Sequence, residues 1–106
     1  MADGSAWYVY IIRCADGTLY TGIARDIAER LKEHAVGRGA RYTRGRGPFE
    51  LCAQHRCRCR GDALRLEYAI KQLTRTDKLN LVAANALRRF ARQRLKPKEG
   101  PSSRAS

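Results

Sequence analysis

Three short stretches of the chain show the hydrophobic pattern of β-strands. Residues 7–13 are rich in aromatic and β-branched side chains, which favour strands. A turn sequence, Ala-Asp-Gly at 15–17, comes next, and residues 18–22 are predicted as the returning strand of a hairpin. Residues 49–57 alternate weakly between apolar and polar side chains, which predicts a third strand.

Three other segments show helical spacing instead. Apolar side chains recur every three or four positions in residues 24–36, and the same spacing predicts a second helix over residues 63–73. Asp62 directly precedes the second helix and is predicted to be its N-cap. A third helix is predicted over residues 76–96, and its last part is strongly basic.

The hairpin turn is compatible with two registers of strand pairing, and these place Tyr10 and Tyr20 differently. A three-residue loop with Gly17 in the left-handed region pairs Ile12 with Tyr20, so that Tyr10 and Tyr20 project from the same face. A two-residue Asp-Gly loop shifts the register by one position and puts the two phenols on opposite faces. The sequence leaves both arrangements open.

The order of elements predicts a small α/β (α+β) domain, with a short three-stranded antiparallel sheet flanked by helices. Between the first helix and the third strand, residues 37–48 contain four glycines and four arginines, which is typical of a surface loop. The domain is predicted to occupy residues 1–83, followed by a basic helical extension over 84–96. Residues 97–106 are rich in Gly, Pro and Ser and are expected to form a disordered tail.

Composition narrows the class of protein. With 106 residues, of which 43% are hydrophobic, the chain suits one domain and is too apolar for a disordered polycation. No apolar run approaches the ~18–20 residues that span a bilayer, and the N-terminus lacks a secretory pattern. We therefore expect a cytoplasmic protein that does not bind or span a membrane.

The net charge of +12 indicates a polyanionic partner, and its distribution indicates a defined surface. Residues 1–36 contain four basic and five acidic side chains, whereas residues 37–66 contain eight arginines and two acids. Residues 67–106 add ten basic side chains against three acids. The charge is therefore concentrated in the middle and the end of the chain, which favours nucleic-acid binding over general solubility.

The four cysteines do not form a recognisable metal motif. Cys57 and Cys59 are separated by one residue, fewer than the two to four that separate ligands in zinc sites, and no second pair completes a set of four. We expect reduced thiols with structural roles and no zinc.

Five motifs follow one another along the chain. They are Tyr8-Val9-Tyr10, Tyr20-Thr21-Gly22, Arg30 with His34, the loop at 39–48, and Ala63-Leu64-Arg65-Leu66-Glu67. In this order they resemble the GIY-YIG nuclease family, specifically its small single-domain bacterial members. They are similar to the nuclease domain of structure-specific junction endonucleases, although the Gly-Ile of the first motif is absent.

The resemblance implies a metal-dependent endonuclease that hydrolyses phosphodiester bonds of DNA. Glu67 would bind a single Mg²⁺ or Mn²⁺, and Arg30 would bind phosphate oxygens. A tyrosine would activate the water, with Tyr10 as the first choice and Tyr20 as its partner or alternative. That role requires nearby positive charge to lower the pKa of the phenol from its usual ~10. His34 would orient a phenol or assist proton transfer.

Nucleic-acid contacts are expected from the basic loop and from the later helices. The DNA would be branched or single-stranded, RNA is an alternative, and DNA repair is implied by the relatives only. The residues assigned to these contacts are Arg38, Arg41, Thr43, Arg44, Arg46, Lys71, Arg88, Arg89 and Arg92.

Each candidate also has a structural interpretation. Tyr10 and Tyr20 would then be ordinary strand aromatics, and Arg30 and Glu67 would form an ion pair between helices. A second function class, a catalytically silent nucleic-acid-binding module, is compatible with the same fold. Retention of both Arg30 and Glu67 favours the enzyme.

Overall fold

A three-stranded antiparallel sheet is the centre of the structure, a computed structural model that describes residues 6–95. Strand β1 (Trp7–Arg13) lies in the middle, β2 (Leu19–Ala24) on one side and β3 (Glu50–Cys57) on the other. The predicted α+β class and the three-stranded antiparallel sheet are therefore confirmed.

The β1–β2 hairpin has the three-residue loop. Ile12 pairs with Tyr20, and Gly17 has a φ of 87°, in the left-handed region that favours glycine. The backbone nitrogen of Gly17 donates to the carbonyl of Cys14 at 2.9 Å and closes the turn. This register places Tyr10 and Tyr20 on one face, which resolves the alternative that the sequence left open.

Four α-helices and a short 3-10 turn complete the described part of the chain. They are α1 (Ile27–Ala35), the 3-10 turn (Arg41–Thr43), α2 (Arg60–Lys71), α3 (Arg75–Ala83) and α4 (Leu87–Arg94). No helix in residues 6–95 has the length and apolar character required to cross a bilayer.

Helix α1 begins three residues later than the hydrophobic spacing predicts. Ala24 is the last residue of β2, where it is buried, so its apolar character reflects the sheet and not the helix. Asp26 is the N-cap, and its side chain accepts a hydrogen bond of 3.0 Å from the backbone nitrogen of Glu29.

The predicted N-cap role of Asp62 is wrong. Helix α2 begins at Arg60 with Cys59 as its N-cap, so Asp62 lies inside the first turn. There the carboxylate is buried and pairs with the guanidinium groups of Arg58 and Arg65. An acid in the first turn also complements the helix dipole, which explains why the local pattern resembles a cap.

The single helix predicted over 76–96 is two helices. Asn85 adopts a φ of 52° between α3 and α4, and asparagine tolerates this left-handed conformation better than most residues. The break changes the direction of the chain, so that α4 packs against β3 and α2. Leu87 and Ala91 of α4 join the main core, and the tail predicted over 97–106 lies outside the described residues.

The two faces of the sheet have different functions in packing. Val9 and Ile11 point to the face covered by α2, α3 and α4, together with Leu66 and Ile70. The opposite face contains a smaller cluster around Tyr10, which packs with residues of β2 and α1. The phenol of Tyr10 therefore belongs to the second, more polar core.

Candidate active site

Tyr10 and Tyr20 lie side by side on one face of the hairpin. Their ring centres are 6.4 Å apart, because the two residues are diagonal neighbours across the β1–β2 ladder. Tyr10 has no exposed surface, whereas Tyr20 is half-buried. The ring of Tyr42 stacks on Tyr20 with ring centres 5.8 Å apart and covers part of it.

A chain of hydrogen bonds joins Tyr10 to the loop that follows α1. The hydroxyl oxygen of Tyr10 is 2.8 Å from Nε2 of His34, and Nδ1 of the same imidazole is 2.7 Å from the hydroxyl oxygen of Thr43. The Thr43 hydroxyl donates to the carbonyl of Ala40 at 2.9 Å. His34 and Thr43 are almost fully buried, at 2% and 1% exposure.

These contacts determine the tautomer of a neutral His34. Since Thr43 has one hydroxyl hydrogen and donates it to Ala40, its oxygen accepts from Nδ1–H of His34. Nε2 is then unprotonated and accepts the hydrogen of the Tyr10 hydroxyl. The histidine is thus oriented as a proton acceptor for the phenol.

Burial dominates the electrostatics of this pair. It raises the pKa of Tyr10 to about 12, although the hydrogen bond and charge of Arg30 act in the opposite direction. Burial, and then the charge of Arg30, lowers the pKa of His34 and favours the neutral imidazole. A base role for Tyr10 would require a lowered pKa, and the charge of Arg30 does not produce it, because loss of solvent outweighs that charge.

Arg30 lies beside the phenol of Tyr10 and is partly exposed. Its guanidinium donates to the carboxylate of Glu33, one turn along α1, at 2.7 Å. This hydrogen bond raises the pKa of Arg30 above its usual value, and the interaction with Tyr10 contributes to the same shift to a smaller extent. The ion pair that was an alternative for Arg30 and Glu67 is not formed, since Arg30 pairs with Glu33 and Glu67 with Lys71.

Glu67 is the acidic side chain of α2 at the edge of the site. The carboxylate is 18% exposed and lies 3.1 Å from Nζ of Lys71, which is itself 5.8 Å from the centre of the Tyr20 ring. Its negative charge contributes to the raised pKa of Tyr10, after burial and Tyr20. The phenol of Tyr10 therefore has the guanidinium of Arg30, the carboxylate of Glu67 and a second phenol, Tyr20, in its surroundings.

A metal would have a single protein ligand here. In residues 6–95 no three His, Cys, Asp or Glu side chains are grouped closely enough to hold an ion. A partly exposed lone carboxylate nevertheless suits Mg²⁺, which keeps several waters and uses one or two carboxylates together with substrate phosphates. Glu67 fits that kind of site, whereas a zinc site would need more ligands.

Two glycines permit the close packing of this site, and sequence reasoning missed their function. A Cβ atom at Gly22 would lie 2.6 Å from the hydroxyl oxygen of Tyr10, and one at Gly39 would overlap the ring of His34. Both glycines occur inside the recognised motifs, so the motifs were the available signal. Their absent side chains leave the space in which the phenol and the imidazole meet.

The loop after α1 is only partly a surface element. Arg38, Arg41 and Arg44 are exposed, as predicted for a basic loop. Arg46 is fixed instead, because its guanidinium pairs with Asp16 at 2.6 Å and lies over the ring of Tyr42. The assignment of Thr43 to nucleic-acid contact is contradicted, because the side chain is buried against His34.

The basic residues of α4 are not brought to this site. Arg88, Arg89 and Arg92 are exposed on a helix that packs against β3, while Tyr20 and Lys71 lie at the β2 side. Lys71, at the end of α2, lies beside Tyr20 instead.

Comparison with known proteins identifies this α+β fold as a catalytic domain of the nuclease type. The GIY-YIG catalytic domain matches residues 6–80. The chain therefore belongs to the GIY-YIG family.

Similar proteins occur in several bacteria. A UPF0213 protein of Desulfotalea psychrophila is 55% identical over 84 residues, which are 78% of this chain and 76% of the relative. A UPF0213 protein of Nitratidesulfovibrio vulgaris is 50% identical over 86 residues, or 78% of each chain. The solution NMR structure of UPF0213 protein BH0048 from Bacillus halodurans is 42% identical, covers 88% of this chain and 99% of its own, and has a TM-score of 0.51.

Proposed function

We propose that the protein is a divalent-metal-dependent endonuclease that hydrolyses phosphodiester bonds of DNA. The observation that supports this most strongly is the oriented Tyr10–His34 hydrogen bond beside Arg30. Phosphodiester hydrolysis needs an activated water and stabilisation of the negative charge on the phosphoryl group. The residues of this site offer a base, a cation for the phosphate and a ligand for a metal.

The two phenols, Tyr10 and Tyr20, differ in solvent exposure, and we assign them different roles for that reason. A general base has to contact the attacking water, and Tyr10 is fully buried whereas Tyr20 is half-buried. We therefore assign water activation to Tyr20 and the internal hydrogen bond to Tyr10. The ammonium group of Lys71, 5.8 Å from the Tyr20 ring centre, would stabilise negative charge that develops on that phenol.

His34 would act as the hydrogen-bond acceptor for the Tyr10 hydroxyl. Its unprotonated Nε2 accepts the Tyr10 hydrogen, which leaves the oxygen lone pairs of Tyr10 free to accept a hydrogen bond from a neighbouring group. Arg30 would bind non-bridging phosphate oxygens, since one of its nitrogens is engaged by Glu33 and the planar fork has further donors. Glu67 would exchange its contact with Lys71 for a metal ion.

A divalent cation bound at Glu67 would supply Lewis-acid polarisation of a phosphoryl oxygen. The exposed arginines Arg38, Arg41 and Arg44 of the loop would hold the backbone of the substrate near this site. We further propose a cytoplasmic location, a branched or single-stranded DNA substrate and a role in DNA repair, all by analogy with junction endonucleases.

The test compares cleavage of labelled single-stranded, duplex and branched DNA, and of RNA, with Mg²⁺, Mn²⁺ or EDTA. Glu67→Gln and Arg30→Ala should each reduce cleavage by at least ~100-fold. Glu50→Gln and Lys32→Ala are matched controls on exposed side chains away from the site, and they should cleave normally. Metal-independent cleavage, or cleavage unaffected by Glu67→Gln, would refute the proposed mechanism.

One observation favours a second candidate, a catalytically silent nucleic-acid-binding module. The phenol that was the first choice as base is fully buried and has a pKa raised to about 12. Binding of every substrate without cleavage under any metal condition would establish that alternative.

A further inference from the structure

A second basic surface lies between β3 and α4, and we name it the β3–α4 surface. It consists of four arginines, one from the turn after β3 and three from α4. They are Arg58, Arg88, Arg89 and Arg92. Residues 51–58 and 84–95, which supply them, contain no Asp or Glu. Two segments without acidic residues, which are distant in the sequence, are thus neighbours at the β3–α4 surface.

Two adjoining cavities connect these side chains. The first, of about 490 Å³, lies between β3 and α4 and is lined by Arg58 and Arg92 among others. The second, of about 360 Å³, is lined by Asn85, Arg88, Arg89 and Arg92. Because Arg92 lines both cavities, the two cavities adjoin at this residue.

Most of these charges have no acidic partner in the structure. Among residues 6–95, no carboxylate pairs with Arg88, Arg89 or Arg92. Asp62 is the one carboxylate that lines the two cavities, and it is buried and already bound by Arg58 and Arg65. The β3–α4 surface therefore presents uncompensated positive charge to solvent.

The β3–α4 surface is separate from the candidate active site. In the strand order β2-β1-β3, the site is on the β2 side with Tyr20 and Lys71, and α4 packs at the β3 side. Helix α4 also covers the sheet face of Val9, opposite to the face of Tyr10. With strands about 4.8 Å apart and packed layers about 10 Å thick, the arginines of α4 are on the order of 20 Å from Tyr20.

The chemistry of the β3–α4 surface suits a phosphate backbone better than a lipid surface. Planar guanidinium groups bind phosphate oxygens in pairs, and a nucleic-acid backbone repeats such groups along its length. Membrane binding by α4 would need an exposed apolar side, but Leu87 and Ala91 are buried in the core. We infer that the β3–α4 surface binds a second stretch of nucleic-acid backbone on the same substrate molecule.

This inference rests on the proposed function, and it sharpens the substrate class to a nucleic acid long enough to reach both sites. At about 3.4 Å per base pair, a duplex segment of fewer than ~6 base pairs spans less than the distance between the two sites. Longer duplex arms, or two arms of a branch, would occupy both. Length of the substrate should therefore determine how much the arginines of α4 contribute.

The experiment measures binding without metal, so that catalysis plays no part. The variant is Arg88→Gln/Arg89→Gln/Arg92→Gln, and the control with equal loss of charge is Lys32→Gln/Arg75→Gln/Lys78→Gln, outside both sites. Each is titrated with a hairpin of about 6 base pairs and a duplex of about 30, at several salt concentrations. Arg58→Gln, in the turn after β3, tests the same surface from the other element.

We expect the triple variant to bind the long duplex at least ~10-fold more weakly and to lower the salt slope by about 2 to 3, with the short hairpin changed less than ~3-fold. Equal weakening by the control, or equal loss on both lengths, would overturn the second site. Binding of phosphatidylserine vesicles but not of the duplex would overturn the nucleic-acid assignment. If the unmodified protein binds no nucleic acid, the proposed function itself fails, which is a distinguishable result.

Discussion

The hydroxyl oxygen of Tyr10 lies 2.8 Å from Nε2 of His34, with both side chains shielded from solvent. A neutral imidazole can accept the phenol hydrogen only if Nδ1 holds the ring proton, and Thr43 enforces that state by accepting from Nδ1. The buried pair is therefore oriented by a residue that itself contacts neither the solvent nor Tyr10.

Replacement of Thr43 by valine should reduce cleavage by about 10- to 100-fold, because the second partner of the imidazole is lost while side-chain volume is kept. Thr43→Ser retains the hydroxyl and should retain most activity. The ¹⁵N chemical shifts of the His34 ring report the tautomer directly, and they should change in the valine variant alone. Unchanged ring shifts in Thr43→Val would show that Thr43 does not set the tautomer.

Gly39→Ala should destabilise the protein by about 1–3 kcal/mol, because the new methyl group overlaps the His34 ring in a packed interior. Gly61→Ala is the control in helix α2, where the nearest atom would be 3.9 Å away. That substitution should stabilise the protein by about 0.5–1 kcal/mol, since alanine favours a helix. Urea denaturation measures both, and equal effects would contradict the packing explanation.

Lys71→Met should lower the Mg²⁺ concentration that gives half-maximal cleavage by about two- to five-fold. The ammonium group competes for the Glu67 carboxylate, and a partly exposed ion pair of this kind contributes about 0.2–1 kcal/mol. Lys71→Arg keeps the pair and should keep the metal requirement. A higher magnesium requirement in Lys71→Met would show that Glu67 does not bind the metal.

Stability should depend on pH through His34. Because the folded state lowers its pKa below 6.5, the unfolded chain binds the proton more readily. The stabilising contribution is complete above pH ~6.5 and is lost as the pH falls toward the folded pKa. The free energy of unfolding should therefore fall between pH 7.5 and pH 5.

A variant series separates the histidines in that experiment. The pKa of His55 is also lowered, by burial and by the charge of Arg88, so it adds its own part of the slope. His34→Gln and His55→Gln should each flatten the pH dependence partly. A slope that is unchanged in His34→Gln would contradict the buried neutral imidazole.

The hairpin and the site motifs could be predicted from the sequence because they depend on local signals. The Ala-Asp-Gly turn limits the register to two choices, and the resemblance of the motifs to the GIY-YIG family points to Tyr10, Arg30 and Glu67. The break at Asn85 could not be predicted in the same way, since neighbouring residues continue the helical pattern and only the packing of α4 on β3 requires the turn.

The burial of individual side chains also could not be predicted from the sequence. Arginines surround Thr43 in the sequence, so the local composition indicates an exposed position, but a contact with a residue nine positions away decides its environment. Likewise, the sequence identifies Tyr10 as a site residue, but the pKa of its phenol depends on solvent exclusion by α1 and the loop.

The loop at 37–48 divides into two parts that have different tolerance for redesign. Gly39 and Thr43 face inward and complete the environment of His34, whereas Arg38, Arg41 and Arg44 face solvent. A library that randomises the whole loop in search of altered substrate preference would mostly produce proteins with a damaged interior. A library restricted to the three outward positions would vary recognition while the imidazole keeps its surroundings.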